Sequence, residues 1–313
     1  MDVAPLFQPL RVKGKTLRNR IVMPPMVVLR GLATPAGVEW YGRHARGGVG
    51  LVIVEATAVN RFGSELTAET LKPLVEAVHA AGALAAIQLF PITFGRAVSP
   101  AKITRKEIDA ILAGYRAAAR ICAEAGFDGV EPHGAHGYLL NRCFSPVQNR
   151  RKDEFGGDLP NRMRLALAVV EATRQGLGDG RLLLYRHTPV GPGYGIEESL
   201  VLAEQLVKAG VDILDISPSS IKAPGDRAEP FKRFGVPVIA VNELDVVERA
   251  LEALREGRAD LIAVGRALIA DPDWPLKVQE GRFDEIVKCT RCDEKCFGNL
   301  RKGIPIACTQ WTG

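Results

Sequence analysis

Eight short apolar runs alternating with stretches of helical periodicity predict an α/β chain folded as a (β/α)8 TIM barrel, followed by a C-terminal cysteine-rich segment. The runs are "RIVM" (20–23), "GLVIVE" (50–55), "LAAIQLF" (84–90), "FDGVEP" (127–132), "LLLYRH" (182–187), "DILDIS" (212–217), "VPVIAV" (236–241) and "DLIAVG" (260–265). Near-continuous Val, Ile and Leu mark strands buried on both faces, as in a parallel sheet. Amphipathic stretches fill the gaps at 105–126, 161–178, 197–210 and 243–257, and all four end in Gly, where helices commonly stop. Eight strands alternating with helices describe a closed barrel, with a doubly wound open sheet as the alternative. A length of 313 residues suits one such unit.

Taken in order, "MDVAPLFQPLRVKG" lacks the charged-then-apolar pattern of a signal peptide. No run of about 18 apolar residues offers a membrane span, so a cytoplasmic location is expected. The loop following "QLF" is short, which leaves a pocket open. Residues 218–235 leave room only for a short helix or for the loop "PSSIKAPGDRAEP". No linker or charge block divides 1–280, so one barrel domain is expected there, with 281–313 packed on it. The net charge of +5 comes from interspersed signs, without the basic, aromatic-interleaved surface that nucleic-acid binding needs.

In such a barrel the C-terminal strand ends share one active site. That rule collects Pro24, Pro25 and Met26 from the first strand, Glu55 and Thr57 from the second, and Gln88 from the third. His133, His136 and Tyr138 follow from the fourth, Arg186 from the fifth, Ser217 from the sixth, Asn242 from the seventh, and Gly265 with Arg266 from the eighth. One histidine at a strand end is more often structural. Two histidines, a tyrosine, an arginine and a glutamine converging by topology favour chemistry. The spacing of "HGAHGY" fits one turn of irregular structure or helix after the strand, with His133 and His136 on one face. Gly265 and Arg266 precede "DPDWP", which can open a short helix. A helix N-terminus with a guanidinium suits a phosphate monoester.

Four of the six cysteines, Cys289, Cys292, Cys296 and Cys308, form a C-x2-C-x3-C-x11-C pattern near the C-terminus. Four thiolates so spaced can hold an iron–sulfur cluster or zinc, and disulfides suit a reducing cytoplasm poorly. Cys122 falls in a helical pattern and reads as core; Cys143 has no evident role.

The order of these pieces resembles the Old Yellow Enzyme family of NADH:flavin oxidoreductases. "LFQPLRVKGKTLRNRIVMPPM", "GFDGVEPHGAHGYLLNRCFSPVQNRRKDEFGGDLPNRMR" and "GRADLIAVGRALIADPDWP" carry the likeness over essentially the whole chain. The resemblance implies FMN at the barrel mouth, with Pro24, Pro25, Met26 and Ala58 lining it and Gln88 and Arg186 bonding its ring. Gly265, Arg266 and the backbone around Asn242 would hold its phosphate. It further implies that His133 and His136 grip the carbonyl of an enone or enoyl thioester while Tyr138 protonates the alpha carbon. NADH or NADPH would reduce the flavin. Val27, Pro91, Pro160 and Asn242 depart from the family pattern, which bears on substrate preference.

The cysteine spacing is similar to the 4Fe-4S site of the branch that contains 2,4-dienoyl-CoA reductase and trimethylamine dehydrogenase, where further nucleotide-binding domains follow the barrel. The expected activity is an FMN-dependent ene-reductase. A substrate subunit receiving electrons through the cluster from a partner protein, and an amine-oxidising dehydrogenase, are the alternatives. A non-catalytic flavin-binding protein is disfavoured by the joint presence of His133, His136 and Tyr138. A homo-oligomer stays open.

Overall fold

The computed structural model describes residues 1–91, 98–218 and 227–311. Eight parallel strands close into a barrel: β1 (Ile21–Met23), β2 (Leu51–Ala58), β3 (Leu84–Phe90), β4 (Gly129–Gly134), β5 (Leu182–His187), β6 (Ile213–Ile216), β7 (Val238–Val241) and β8 (Leu261–Ala263). Each pairs with its sequence neighbours, and β8 returns to β1. All eight runs read from the sequence are strands. Two shifts at their ends matter below. The fourth begins two residues later than its run and continues through Gly134, so His133 lies within the strand. The second extends to Ala58, with a register irregularity between Val54 and Thr57.

The helices follow from local signals. Thr104 caps Arg105–Ala125 in a reciprocal box with Glu107, and Gly126, at φ 96°, stops it. Asp158 caps Leu159–Leu177; Ile196–Lys208 and Val247–Arg255 complete the four predicted stretches. Glu229–Phe234 after β6 is a short 3-10 turn, as the spacing required. The rest of that connection and the loop after β3 fall at 219–226 and 92–97, outside the described residues. Among the described residues no helix is long and apolar enough to cross a membrane.

An antiparallel hairpin, Leu10–Val12 with Lys15–Leu17, stops one end of the barrel. Its Val12 and Leu17 pack with Val22, Leu51, Ile53, Ala86, Leu182, Leu184 and Ile213 as one interior cluster. Side chains alternate along a strand, so the next inward positions belong to the same series. On β3 Ala86 leads to Gln88, and on β4 Gly129 leads to Glu131 and His133. On β5 Leu182 and Leu184 lead to Arg186, and on β6 Ile213 leads to Asp215 and then Ser217. The lumen is therefore apolar at the hairpin end and polar at the other, and all six of these polar side chains are buried.

Candidate active site

Strand register sets the polar layer. Gln88 is the ladder partner of Glu131, His133 of Arg186, and Arg186 of Asp215. Gln88 Nε2 donates to Glu131 Oε1 at 2.7 Å. The Arg186 guanidinium lies 3.5 Å from Asp215 Oδ2 and donates to Ser217 Oγ at 3.1 Å. Glu131 Oε2 and both Asp215 oxygens meet no hydrogen-bond donor among the described residues. Burial, then the repulsion of Asp215, holds the Glu131 carboxyl well above its usual range; burial also raises Asp215, while Arg186 opposes both shifts. One arginine neutralises one carboxylate, so burial favours a proton shared across the pair, which would serve two of these three oxygens. Neither carboxyl was singled out from the sequence, although the alternation that selects Gln88 and Arg186 also selects them.

The stretch after β4 is a sharp turn, not a helical one. A Cβ on Gly134 would sit 2.0 Å from the Tyr185 hydroxyl, so only glycine lets this strand end pack. His136, at φ 58°, and Gly137, at φ 74°, are left-handed, a strained setting for histidine that clusters at functional sites. Of the two expected forms, irregular structure or a helical turn, the chain takes the irregular one, and it brings the rings together. Those of His133 and His136 are 5.2 Å apart, and those of His133 and Tyr138 are 5.2 Å apart. Phe90 stands edge-on to Tyr138 at 4.9 Å. His136 Nε2 meets Ser217 Oγ at 2.8 Å and its backbone N–H donates to Thr188 Oγ1, while His133 Nδ1 is buried without a hydrogen-bond partner among the described residues. Burial first, then neighbouring charge, keeps His133 neutral and lowers His136 to about 3; burial raises the Tyr138 phenol, so it stays protonated.

Two contiguous cavities open over this layer. One, of about 310 Å³, is lined by Pro24, Pro25, Met26, Arg186, Ser217, Asn242, Gly265 and Arg266. The other, of about 240 Å³, is lined by Pro25, Met26, Val27, Ala56, Gln88, His133, His136 and Tyr138. Pro25, Met26, Arg266 and Phe297 line both. Ala58 lines neither; the register irregularity in β2 brings Ala56 to the cavity instead. Glu55 also turns away, accepting the Val28 N–H at 2.5 Å and pinning the 24–28 loop. Asn242, at φ 100°, and Glu243, at φ 57°, are left-handed, a conformation Asn adopts where other residues strain. The helix nearest Gly265 is Arg266–Ala270, opening one residue later, while "DPDWP" opens Trp274–Gln279 beyond it.

The cysteine segment lies against this mouth. Ile306 N donates to Val28 O, Arg30 donates to Ile306 O, and Trp311 Nε1 donates to Ile269 O. Arg266 pairs with Asp293 at 2.9 Å. Cys289, Cys292, Cys296 and Cys308 line one small cavity together with Arg266, and none is in a disulfide. Among the described residues no three His, Cys, Asp or Glu side chains stand close enough for a single ion. Cys122 and Cys143 are buried in the core, where burial raises the Cys143 thiol to about 12.

Fold and site together define an eight-stranded parallel barrel with a buried polar layer and two joined cavities at the C-terminal ends of its strands. The chain belongs to the NADH:flavin oxidoreductase / NADH oxidase family, whose model matches residues 5–99 and 92–285. It is 33% identical to a NADH oxidase of Thermoanaerobacter brockii, covering 97% of this chain and 55% of that protein. To a NADPH dehydrogenase of Clostridium acetobutylicum it is 34% identical, covering 87% and 93%. The structure of 2-naphthoyl-CoA reductase with 2-naphthoyl-CoA superimposes with a TM-score of 0.87 at 25% identity, over 99% of this chain and 57% of that one. The chain thus spans little more than half of its longer relatives.

Buried neutral histidines also set a pH dependence. His44, lowered to about 4, His136 and His187, each lowered to about 3, and His133 all refuse protons in the native state, chiefly because burial disfavours their charge. Unfolded, each titrates near 6.5. Below that value the unfolded chain binds more protons, so stability falls with pH by about 1.4 kcal/mol per unit for each histidine. The raised carboxyl pair works oppositely, but it is outnumbered by the four histidines. Thermal melts are therefore expected to show Tm falling markedly from pH 7 to pH 5; a flat profile contradicts these assignments.

Proposed function

We propose that the chain is an FMN-dependent ene-reductase, reduced by NADH or NADPH, acting on the activated C=C of an α,β-unsaturated carbonyl or enoyl thioester. One observation carries the reading: two neutral histidines and a protonated tyrosine share a cavity that runs on into one lined by Arg186 and Gly265. A carbonyl oxygen needs uncharged N–H donors, and an alpha carbanion needs a nearby acid.

The donor set fits FMN. Arg186 and Gln88, which line the two cavities, suit the polar edge of a flavin ring, and an arginine there favours the anionic reduced form. Pro24, Pro25, Met26 and Ala56 offer an apolar bed. A Cβ on Gly265 would meet only ordinary contacts, 3.6 Å from Pro24 and 3.7 Å from Met26. No protein atom demands glycine there, whereas a phosphate approaching the backbone would. Arg266 and the Asn242 turn complete that end. Bound FMN would supply the hydride. His133 and His136 hold and polarise the carbonyl, and Tyr138 Oη delivers the proton to the alpha carbon.

The four cysteines support a 4Fe-4S cluster over zinc. The four thiols line one cavity, and their spacing is similar to that of a 4Fe-4S site. The longer relatives cover 97% and 99% of the chain and the NADPH dehydrogenase 87%, a difference close to the segment's share. A cluster beside Arg266 could also receive electrons from a partner protein. Anaerobically purified protein is expected to release FMN on denaturation and to contain iron and acid-labile sulfide in equal amounts. Zinc in place of both would overturn the cluster, and protein that takes up no FMN would overturn the site.

A further inference from the structure

The cavity that holds His133, His136 and Tyr138 is not built by the barrel alone. Cys296, Phe297, Leu300 and Ile306, all from the cysteine-rich segment, line it too. Ile306 is buried, its N–H donating to Val28 O and its carbonyl accepting from the Arg30 guanidinium. Leu300 packs partly on the core. Phe297 differs: it is 47% exposed, and it lines both cavities where they meet. A large aromatic side chain left half in solvent at a cavity junction has apolar surface to cover, and a flat ligand would cover it.

We propose that Phe297 and Leu300 are specificity-determining residues, forming the apolar wall that receives the part of the acceptor remote from its carbonyl. The inference rests on the His pair as the carbonyl site. It follows that extended planar acceptors are preferred, because a small ring held at the histidines does not reach the wall. The cysteine-rich segment is then part of the substrate chamber, whatever its metal does for electron flow.

The test compares two acceptors by calorimetric titration of the oxidised holoprotein: cyclohexenone, which fits beside the histidines, and benzylideneacetone, which carries a phenyl ring. In Phe297→Ala and in Leu300→Ala, Kd for benzylideneacetone is expected to rise about tenfold, the loss of one buried apolar side chain contact. Kd for cyclohexenone should change less than about twofold, with FMN content unchanged. Phe297→Leu and Leu300→Met, which keep apolar bulk, should recover much of the affinity and guard against a folding defect. Equal Kd values in wild type and both alanine variants overturn the proposal. So does loss of FMN with unaltered discrimination between the acceptors, which would make the wall a cofactor cover. If wild type itself takes up no FMN, the flavin reading fails separately, and the same two titrations still decide whether the wall selects the acceptor.

Discussion

Tyr138→Phe is expected to slow enone reduction by about two to four orders of magnitude, the span that a positioned general acid contributes. Phenylalanine keeps the ring packing against Phe90 and His133 and removes only the hydroxyl. Flavin uptake and flavin reduction by NAD(P)H should therefore be unchanged, and the loss should appear only when the reduced protein meets an acceptor. Burial raises the Tyr138 phenol, so the wild-type rate should not fall through pH 8 for want of this proton. An unaltered turnover in the variant would remove Tyr138 from the reaction.

Arg186→Met is expected to cost about 3–5 kcal/mol of stability, as when one partner of a buried ion pair is removed. The reason lies beneath the cavity. Glu131 and Asp215 are both fully buried, and Arg186 is the cation that opposes the upward shift of each. Without it the folded pair holds its protons more tightly still. The sign then follows: a group whose folded pKa is raised loses stability as pH rises, so the defect should be largest at high pH and shrink on acidification. Denaturant melts at pH 5 and pH 8 distinguish this from simple loss of packing, which would be the same at both. FMN retention should fall in parallel, because the same guanidinium faces the flavin cavity.

Much of this was legible in the sequence because strand burial leaves a strong mark. Eight apolar runs located eight strands, and the barrel rule then placed Gln88, His133 and Arg186 at one end before any geometry was known. What escaped depended on register. Ala58 was chosen from the family's pattern, but the irregularity between Val54 and Thr57 presents Ala56. Glu131 sat unremarked inside "VEPHG", since a carboxylate in a strand gives no sign of its partners until Asp215 and Arg186 are beside it. The left-handed His136 could not be foreseen from spacing, for three residues fit a helical turn as well as a tight one. Asn242 takes a positive φ, a setting that its residue type tolerates. The four cysteines stand out by their spacing, but nothing in the sequence marks Phe297 and Leu300 as lining the same cavity as the histidines, because that cavity joins elements with no periodicity in common.

The central claim is that one site passes hydride from a nicotinamide, by way of FMN, to an acceptor held by His133 and His136. It is tested most directly by anaerobic stopped-flow. Protein reduced with one equivalent of NADPH, and separately NADH, is mixed with cyclohexenone while flavin absorbance is followed. The prediction is rapid reoxidation, one saturated ketone formed per flavin, and a slowing of at least about tenfold in His133→Ala. Flavin that stays reduced in the presence of the enone, with either donor, would contradict it.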